Sequence, residues 1–191
     1  MGISHYSFSI SWPRILPFGS GQVNEQGIAH YNDVINTCLQ YNITPMATLY
    51  HWDIPLYLQN TYGGWYSEQI ITDFTEYARI AYSRFGDRVK SWVTINEPTG
   101  ACGTVYTITE GYYRDVNIPA NQRTAVCLKN LLLSHTEAYH LGKQMIPDSL
   151  ITFKNNGGYK IPATNSSADA AAVQAGWDTA EGVRHENTEP L

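Results

Sequence analysis

The chain has 191 residues, 43% of them apolar and 13% aromatic, and a net charge of −5. This is the composition of a globular protein with a sizeable core, and no apolar run is long enough to cross a bilayer. The acidic balance argues against nucleic acid as a partner.

In chain order, Ser7-Phe8-Ser9-Ile10-Ser11-Trp12 alternates as a strand and runs into Pro13-Arg14. Ile28, Tyr31, Val34, Ile35, Cys38 and Leu39 then recur at helical spacing after Asn24. Met46-Ala47-Thr48-Leu49-Tyr50 is a second strand, finishing in His51-Trp52-Asp53 with Pro55 beyond. A second helix follows Ser67, carried by Ile70, Ile71, Phe74, Tyr77, Ala78, Ala81 and Phe85. Asn24 and Ser67 suit the N-cap positions of these two helices, and Gly86 suits the C-cap of the second. Trp92, Val93 and Ile95 read as a third strand, which Pro98 ends by removing a backbone donor. A third helix spans Val126 to Met145, with Leu128, Leu131, Leu132 and His135 on one face and Pro147 closing it. Leu150-Ile151-Thr152-Phe153 returns as strand, and Asp169 to Ala175 gives a short further helix.

Strands alternating with helices call for parallel strands joined by right-handed crossovers. Each apolar strand ends in ring or charged residues, and polar groups gathered at the C-terminal ends of such strands mark the active face of a (β/α)₈ barrel. A doubly wound sheet also alternates, but it commonly carries a glycine-rich phosphate loop, and none is present. The fold class is therefore α/β, a partial (β/α)₈ TIM barrel of roughly four βα units out of eight. Residues 1–191 are expected to form part of one catalytic barrel, without repeats or an interdomain linker, and to be a piece of a longer chain.

The chemistry is placed at Thr94-Ile95-Asn96-Glu97-Pro98, where an amide and a carboxylate stand side by side at a strand end. Asn and Glu before Pro also suit a plain turn. In a regular strand neighbouring side chains face opposite ways, so Asn96 and Glu97 share one pocket only if the pleat breaks or bulges there. Fourteen Tyr and five Trp are many for this length. Aromatic rings stack on the C–H face of a sugar, although core packing is the simpler reading for any single ring. Cys38, Cys102 and Cys127 show no metal or CxxC spacing, so neither a metal site nor a disulfide is assigned. Asn42-Ile43-Thr44 and Asn165-Ser166-Ser167 satisfy the glycosylation sequon, which points to a secretory route.

Phe8-Ser9-Ile10-Ser11-Trp12-Pro13-Arg14-Ile15, Thr48-Leu49-Tyr50-His51-Trp52-Asp53-Ile54-Pro55, Tyr62-Gly63-Gly64-Trp65, Phe85-Gly86-Asp87-Arg88-Val89 and Thr94-Ile95-Asn96-Glu97-Pro98 resemble the successive motifs of glycoside hydrolase family 1. They occur in order and collinearly from Tyr6 to about Asp178. Leu131-Leu132-Leu133-Ser134-His135 and Pro162-Ala163-Thr164-Asn165-Ser166 are similar to animal members, especially insect β-glucosidases and lactase-phlorizin hydrolase. On that resemblance the chain covers roughly strands 2 to 5 of the barrel's eight.

The resemblance implies a retaining β-glycosidase acting on terminal β-linked sugars of O-glycosides, with two carboxylates about 5–5.5 Å apart. It makes Glu97 the general acid/base, and a partly shielded strand end suits an acid that must hold its proton before attack. Asn96 matches the residue that bonds the sugar 2-hydroxyl, His51 a glycone-binding ring with Trp52 as a wall beside it, and Arg14 a guanidinium supporting the nucleophile. Without the resemblance, His51 reads as a hydrogen-bonded core histidine and Arg14 as a structural ion pair. Asn156 matches an aglycone-side asparagine, within a Lys154-Asn155-Asn156-Gly157 stretch that departs from the usual apolar-Asn pattern. The loop from Tyr106 to Asn117 departs as well. The family's Thr/Ser-Glu-Asn-Gly nucleophile motif does not occur in the 191 residues, so they hold the acid/base half alone and are expected to be inactive by themselves. No cofactor is implied, and the expected partner is a small β-glycoside. A thioglucosidase and a non-catalytic klotho-like binding relative are the alternatives.

Overall fold

The computed structural model describes residues 2–105, 117–155 and 162–180. Four strands, β1 (His5–Ser9), β2 (Thr44–Tyr50), β3 (Ser91–Asn96) and β4 (Leu150–Lys154), form one sheet in the order β1-β2-β3-β4. Every pairing is parallel, with His5 opposite Thr44, Met46 opposite Ser91 and Ser91 opposite Leu150. Between strands lie α1 (Trp12–Ile15), α2 (Glu25–Gln40), α3 (Leu56–Tyr62), α4 (Gln69–Phe85) and α5 (Ala120–Met145). The chain divides into two compact units, Met1–Asn155 and Asn156–Leu191. In the second, α6 (Ser167–Ala180) starts where Ser166 Oγ accepts the Asp169 amide and Asp169 accepts from Thr164, which holds the Asp169 carboxyl below its usual range.

The first strand lies earlier than its alternation predicts, at His5–Ser9 in place of Ser7–Trp12. Pairing stops at Ser9, and Trp12 already opens a helical turn with Pro13 in its first positions, where a missing N–H costs nothing. The Ser11 amide is taken instead by the Tyr31 hydroxyl at 2.7 Å. Asn24 caps α2 by accepting the Gln26 amide. Ser67 Oγ accepts the Gln69 amide ahead of α4, whose backbone boundary falls at Glu68. Gly86 closes α4 at φ −68°, so its use is spatial: a Cβ there would meet Ile146 Cγ2 and Tyr82 O at 2.5 Å.

Helix α5 begins six residues earlier than its apolar spacing indicates, directly after Pro119, through a polar first turn that carries no apolar period. Its buried stripe is Cys127, Asn130, Leu131, Ser134, Ala138 and Gly142, whereas Leu132 and Leu133 are exposed. Three consecutive leucines wrap the helix and conceal its face; the small residues reveal it. A Cβ on Gly142 would strike Ile151 and the Tyr82 ring, so bare backbone lets α5 lie against α4 and β4. Helix α3 was not apparent from apolar spacing, yet Pro55 ahead of it and Gly63 at φ 86° behind it frame its seven residues.

Among the described residues, most Tyr and Trp rings are core. Trp12 stacks on Tyr77 at 5.2 Å and meets Phe74 edge-on at 5.5 Å, while Tyr50 meets Trp65 at 4.9 Å. The Tyr77 hydroxyl lies 2.9 Å from Ile10 O and 3.0 Å from Leu49 O, tying α4 to the ends of β1 and β2. Burial pushes this phenol's pKa far upward, so it remains a donor. Arg88 donates to Asn32 and Asn36 at 2.7 Å each, locking the turn before β3 onto α2. No described helix is long and apolar enough to cross a membrane.

Candidate active site

Parallel strands bring the residues after Ser9, Tyr50, Asn96 and Lys154 to one edge of the sheet. At that edge the β3–β4 register shifts between Val93 and Asn96, the irregularity that a shared pocket for Asn96 and Glu97 requires. Glu97 then takes φ 50°, ψ 62°, a left-handed conformation that a residue with a Cβ adopts only under constraint. Its amide donates to Lys154 O at 2.6 Å and its carbonyl accepts from the Ala101 amide at 2.8 Å. Asn96 is buried and Glu97 half-buried, so the amide is shielded while the carboxylate keeps access to a ligand.

From the end of β2, Trp52 also turns left-handed at φ 76° and donates its indole N–H to Asn96 O at 3.0 Å. This bond fastens the β2 and β3 strand ends together. The space a Cβ would fill on Gly100 lies 3.2 Å from Trp52 Cζ2 and 3.6 Å from Glu97 Oε2, so the indole edge and the carboxylate converge over one bare glycine. Asp53 follows with one buried carboxylate oxygen that has no hydrogen-bond partner among the described residues.

His51 stands exposed at the edge, joined through Nδ1 to Ser9 Oγ at 2.9 Å and set against Trp52 at 72°. It is not the core histidine that the bare sequence allows. Arg14 is in no ion pair among the described residues; its guanidinium lies 5.7 Å over the Tyr31 ring, with Nη1 3.4 Å from the Tyr31 hydroxyl. Asn156 lies outside the described residues. Its neighbour Asn155 accepts from Thr99 Oγ1 at 2.9 Å, bringing the end of β4 to the turn after Glu97.

One expectation is overturned. Cys102 and Cys127 form a disulfide, with Cα atoms 5.8 Å apart, and Cys38 alone stays a buried free thiol. An odd cysteine count concealed the pair, because pairing depends on the approach of α5 to the turn after Glu97 and on nothing local to either residue. Gly100, Thr99 and the Ser9–His51 bond were likewise missed, since each is defined by a contact across strands.

The model of glycosyl hydrolase family 1 matches residues 1–186. The chain belongs to that family. It is 40% identical over 176 residues to β-glucosidase A of Thermotoga maritima, covering 91% of this chain and 38% of that protein. It is 37% identical to a cyanidin 3-O-glucoside 7-O-glucosyltransferase (acyl-glucose) of Delphinium grandiflorum, over 93% of this chain and 39% of the relative. Among solved structures, the T. maritima β-glucosidase in complex with deoxynojirimycin superposes with a TM-score of 0.79 at 40% identity, over 90% of this chain and 38% of that one. This family 1 chain therefore spans about two fifths of the length of these relatives. Its four-stranded parallel sheet is a partial (β/α)₈ barrel, and the Asn96–Glu97 edge is the C-terminal edge at which such barrels carry their active sites.

Proposed function

We propose that the protein containing this chain is a retaining β-glycosidase of β-glucosidase type, and that these residues form its acid/base side. The observation that carries the reading is the Asn96–Glu97 pair, turned out of β3 at the register shift and braced by Trp52. In this scheme Glu97 protonates the glycosidic oxygen as a carboxylate from the remainder of the barrel attacks the anomeric carbon from the opposite face. The aglycone leaves, and Glu97, now ionised, takes a proton from the water that releases the sugar. Asn96 bonds the 2-hydroxyl, and this bond strengthens as oxocarbenium character develops. His51 and Trp52 hold the glycone, and Asn156 contributes on the aglycone side. Arg14 places a fixed positive charge near the nucleophile and favours its ionised form.

A carboxyl at Glu97 favours O-glycosides over thioglycosides, whose thiolate leaves without protonation. A klotho-like sugar-binding relative differs at the nucleophile carboxylate of the remaining barrel: a Glu there supports the hydrolase, its replacement the binding protein. The buried disulfide and the exposed sequon asparagines Asn42 and Asn165 support a secreted or secretory-lumen setting. The glucosyltransferase relative makes transfer to an alcohol a second reading, since the same glycosyl-enzyme can be opened by an acceptor other than water. The whole protein should release the β-anomer first from an aryl β-glucoside, followed by proton NMR before mutarotation. Initial release of the α-anomer would overturn the double-displacement scheme, and a dominant new glycoside in the presence of an alcohol would favour transfer.

A further inference from the structure

We propose that the Cys102–Cys127 disulfide is a positioning element for Glu97, fixing the pose from which its carboxyl delivers a proton. The proposal rests on the acid/base reading of Glu97 given above. Glu97 holds a left-handed backbone that a side-chain-bearing residue keeps only where its surroundings over-determine it. Released, it would relax to the right-handed or extended region and swing the carboxyl elsewhere. On its N-terminal side the constraint is the bond to Lys154 O on β4. On its C-terminal side it is the turn that follows. Pro98 has no amide to give, and from Ala101 to Val105 the chain winds as a wide π-helical turn, an uncommon form frequent at functional sites.

The disulfide ties this turn to the body of the fold. Cys102 is buried and follows directly after Ala101, whose amide donates to Glu97 O at 2.8 Å. Cys127, fully buried, lies on α5, a helix seated on α4 and bonded to β3 through His135 and Thr94. The cross-link therefore fastens the turn to a helix that is itself fastened to the strand from which Glu97 emerges. Only Gly100 and Ala101 separate Cys102 from the Glu97–Pro98–Thr99 bend, and a Cβ on Gly100 would lie 3.2 Å from Trp52 Cζ2 and in ordinary contact, 3.6 Å, with Glu97 Oε2, so a shift of the turn is felt close to the carboxyl.

The test compares leaving groups in the whole protein. Alkyl β-glucosides need proton donation and 2,4-dinitrophenyl β-glucoside does not, so the ratio of the two rates reports how well the acid is placed, independently of how much protein is folded. For the double variant Cys102→Ala/Cys127→Ala, assayed well below its melting midpoint, kcat/KM on the alkyl substrate should fall about tenfold or more and on the dinitrophenyl substrate less than about threefold. Cys38→Ala, which removes the third cysteine away from the turn, should leave the ratio unchanged. A double variant with a lower melting midpoint and an unaltered ratio would show a disulfide that only stabilises the fold, and the proposal would be overturned. If the double variant does not fold, Gly100→Ala probes the same linkage by pushing the turn against Trp52, and should produce the same selective loss; an unchanged ratio overturns the proposal there too. Glu97→Gln is measured alongside. If its ratio changes and the cysteine variant's does not, the positioning role alone falls; if its own ratio is unchanged, the acid/base reading falls and takes the proposal with it.

Discussion

The left-handed backbone at Glu97 costs a residue with a Cβ about 1–2 kcal/mol, and Trp52 holds a second such conformation at the end of the neighbouring strand. Two strained residues joined through Asn96 O are what a site built for orientation would show. At this scale the sharpest expectation concerns the carboxyl itself. Glu97→Gln keeps the shape and removes the transferable proton, so the whole protein should lose about 10²–10⁴-fold in kcat/KM on alkyl β-glucosides and far less in kcat/KM on 2,4-dinitrophenyl β-glucoside, whose glycosylation step needs no acid. Equal losses would remove Glu97 from its role. The Asn96–Glu97 pair was legible in the sequence because Pro98 has no amide and the preceding residues alternate as a strand. The register shift was legible too, as the condition under which two adjacent side chains share a pocket. The left-handed turns at Glu97 and Trp52 were not, since non-glycine residues give no local sign of a conformation imposed by neighbouring strands. Likewise, Cys102 and Cys127 carry no mark of partnership until α5 is folded back on the turn.

Among the elements, α5 and β3 meet through a partly buried polar contact. His135 Nδ1 lies 2.7 Å from Thr94 Oγ1, with the ring against Tyr139 and Phe153. Burial disfavours the imidazolium and holds this histidine's pKa below its ordinary value. The unfolded chain therefore binds a proton that the folded chain refuses, in the window running from the ordinary histidine value of about 6.5 down to the depressed one. Stability in that window rises with pH and is lost as pH falls. Urea midpoints of the whole protein at pH 7.5 and 5.5 should drop on acidification, and His135→Gln should drop less; identical drops would mean that His135 does not contribute. Parallel strands, crossovers, and the existence of α2, α4 and α5 were legible from periodicity. The face of α5 was not, because Leu131-Leu132-Leu133 offers apolar surface all round while Ser134, Ala138 and Gly142 decide which side packs. Helix α3 lacks an apolar period, and its Pro55 and Gly63 frame was the only local sign of it.

For the molecule as a whole, the sheet is buried at its middle and open at its sides. Strands β2 and β3 are largely buried, whereas β1 and β4 are mostly exposed and, among the described residues, each pairs along one edge only. Tyr6, Leu150 and Phe153 lie uncovered on those outer strands. A closed barrel removes such edges, and an open one leaves strands available for association. The polypeptide 1–191 expressed alone is accordingly expected to self-associate. The central claim is that this polypeptide supplies the acid/base carboxyl and that the attacking carboxylate belongs to the rest of the barrel. Its most direct test is hydrolysis of 2,4-dinitrophenyl β-glucoside by purified residues 1–191, beside the Glu97→Gln form of the same polypeptide and the whole protein. Turnover by the whole protein, with none by either short form, is the predicted result. Turnover by residues 1–191 that survives purification from host glycosidases and falls when Glu97 is replaced would contradict it, because a nucleophile would then lie within these 191 residues.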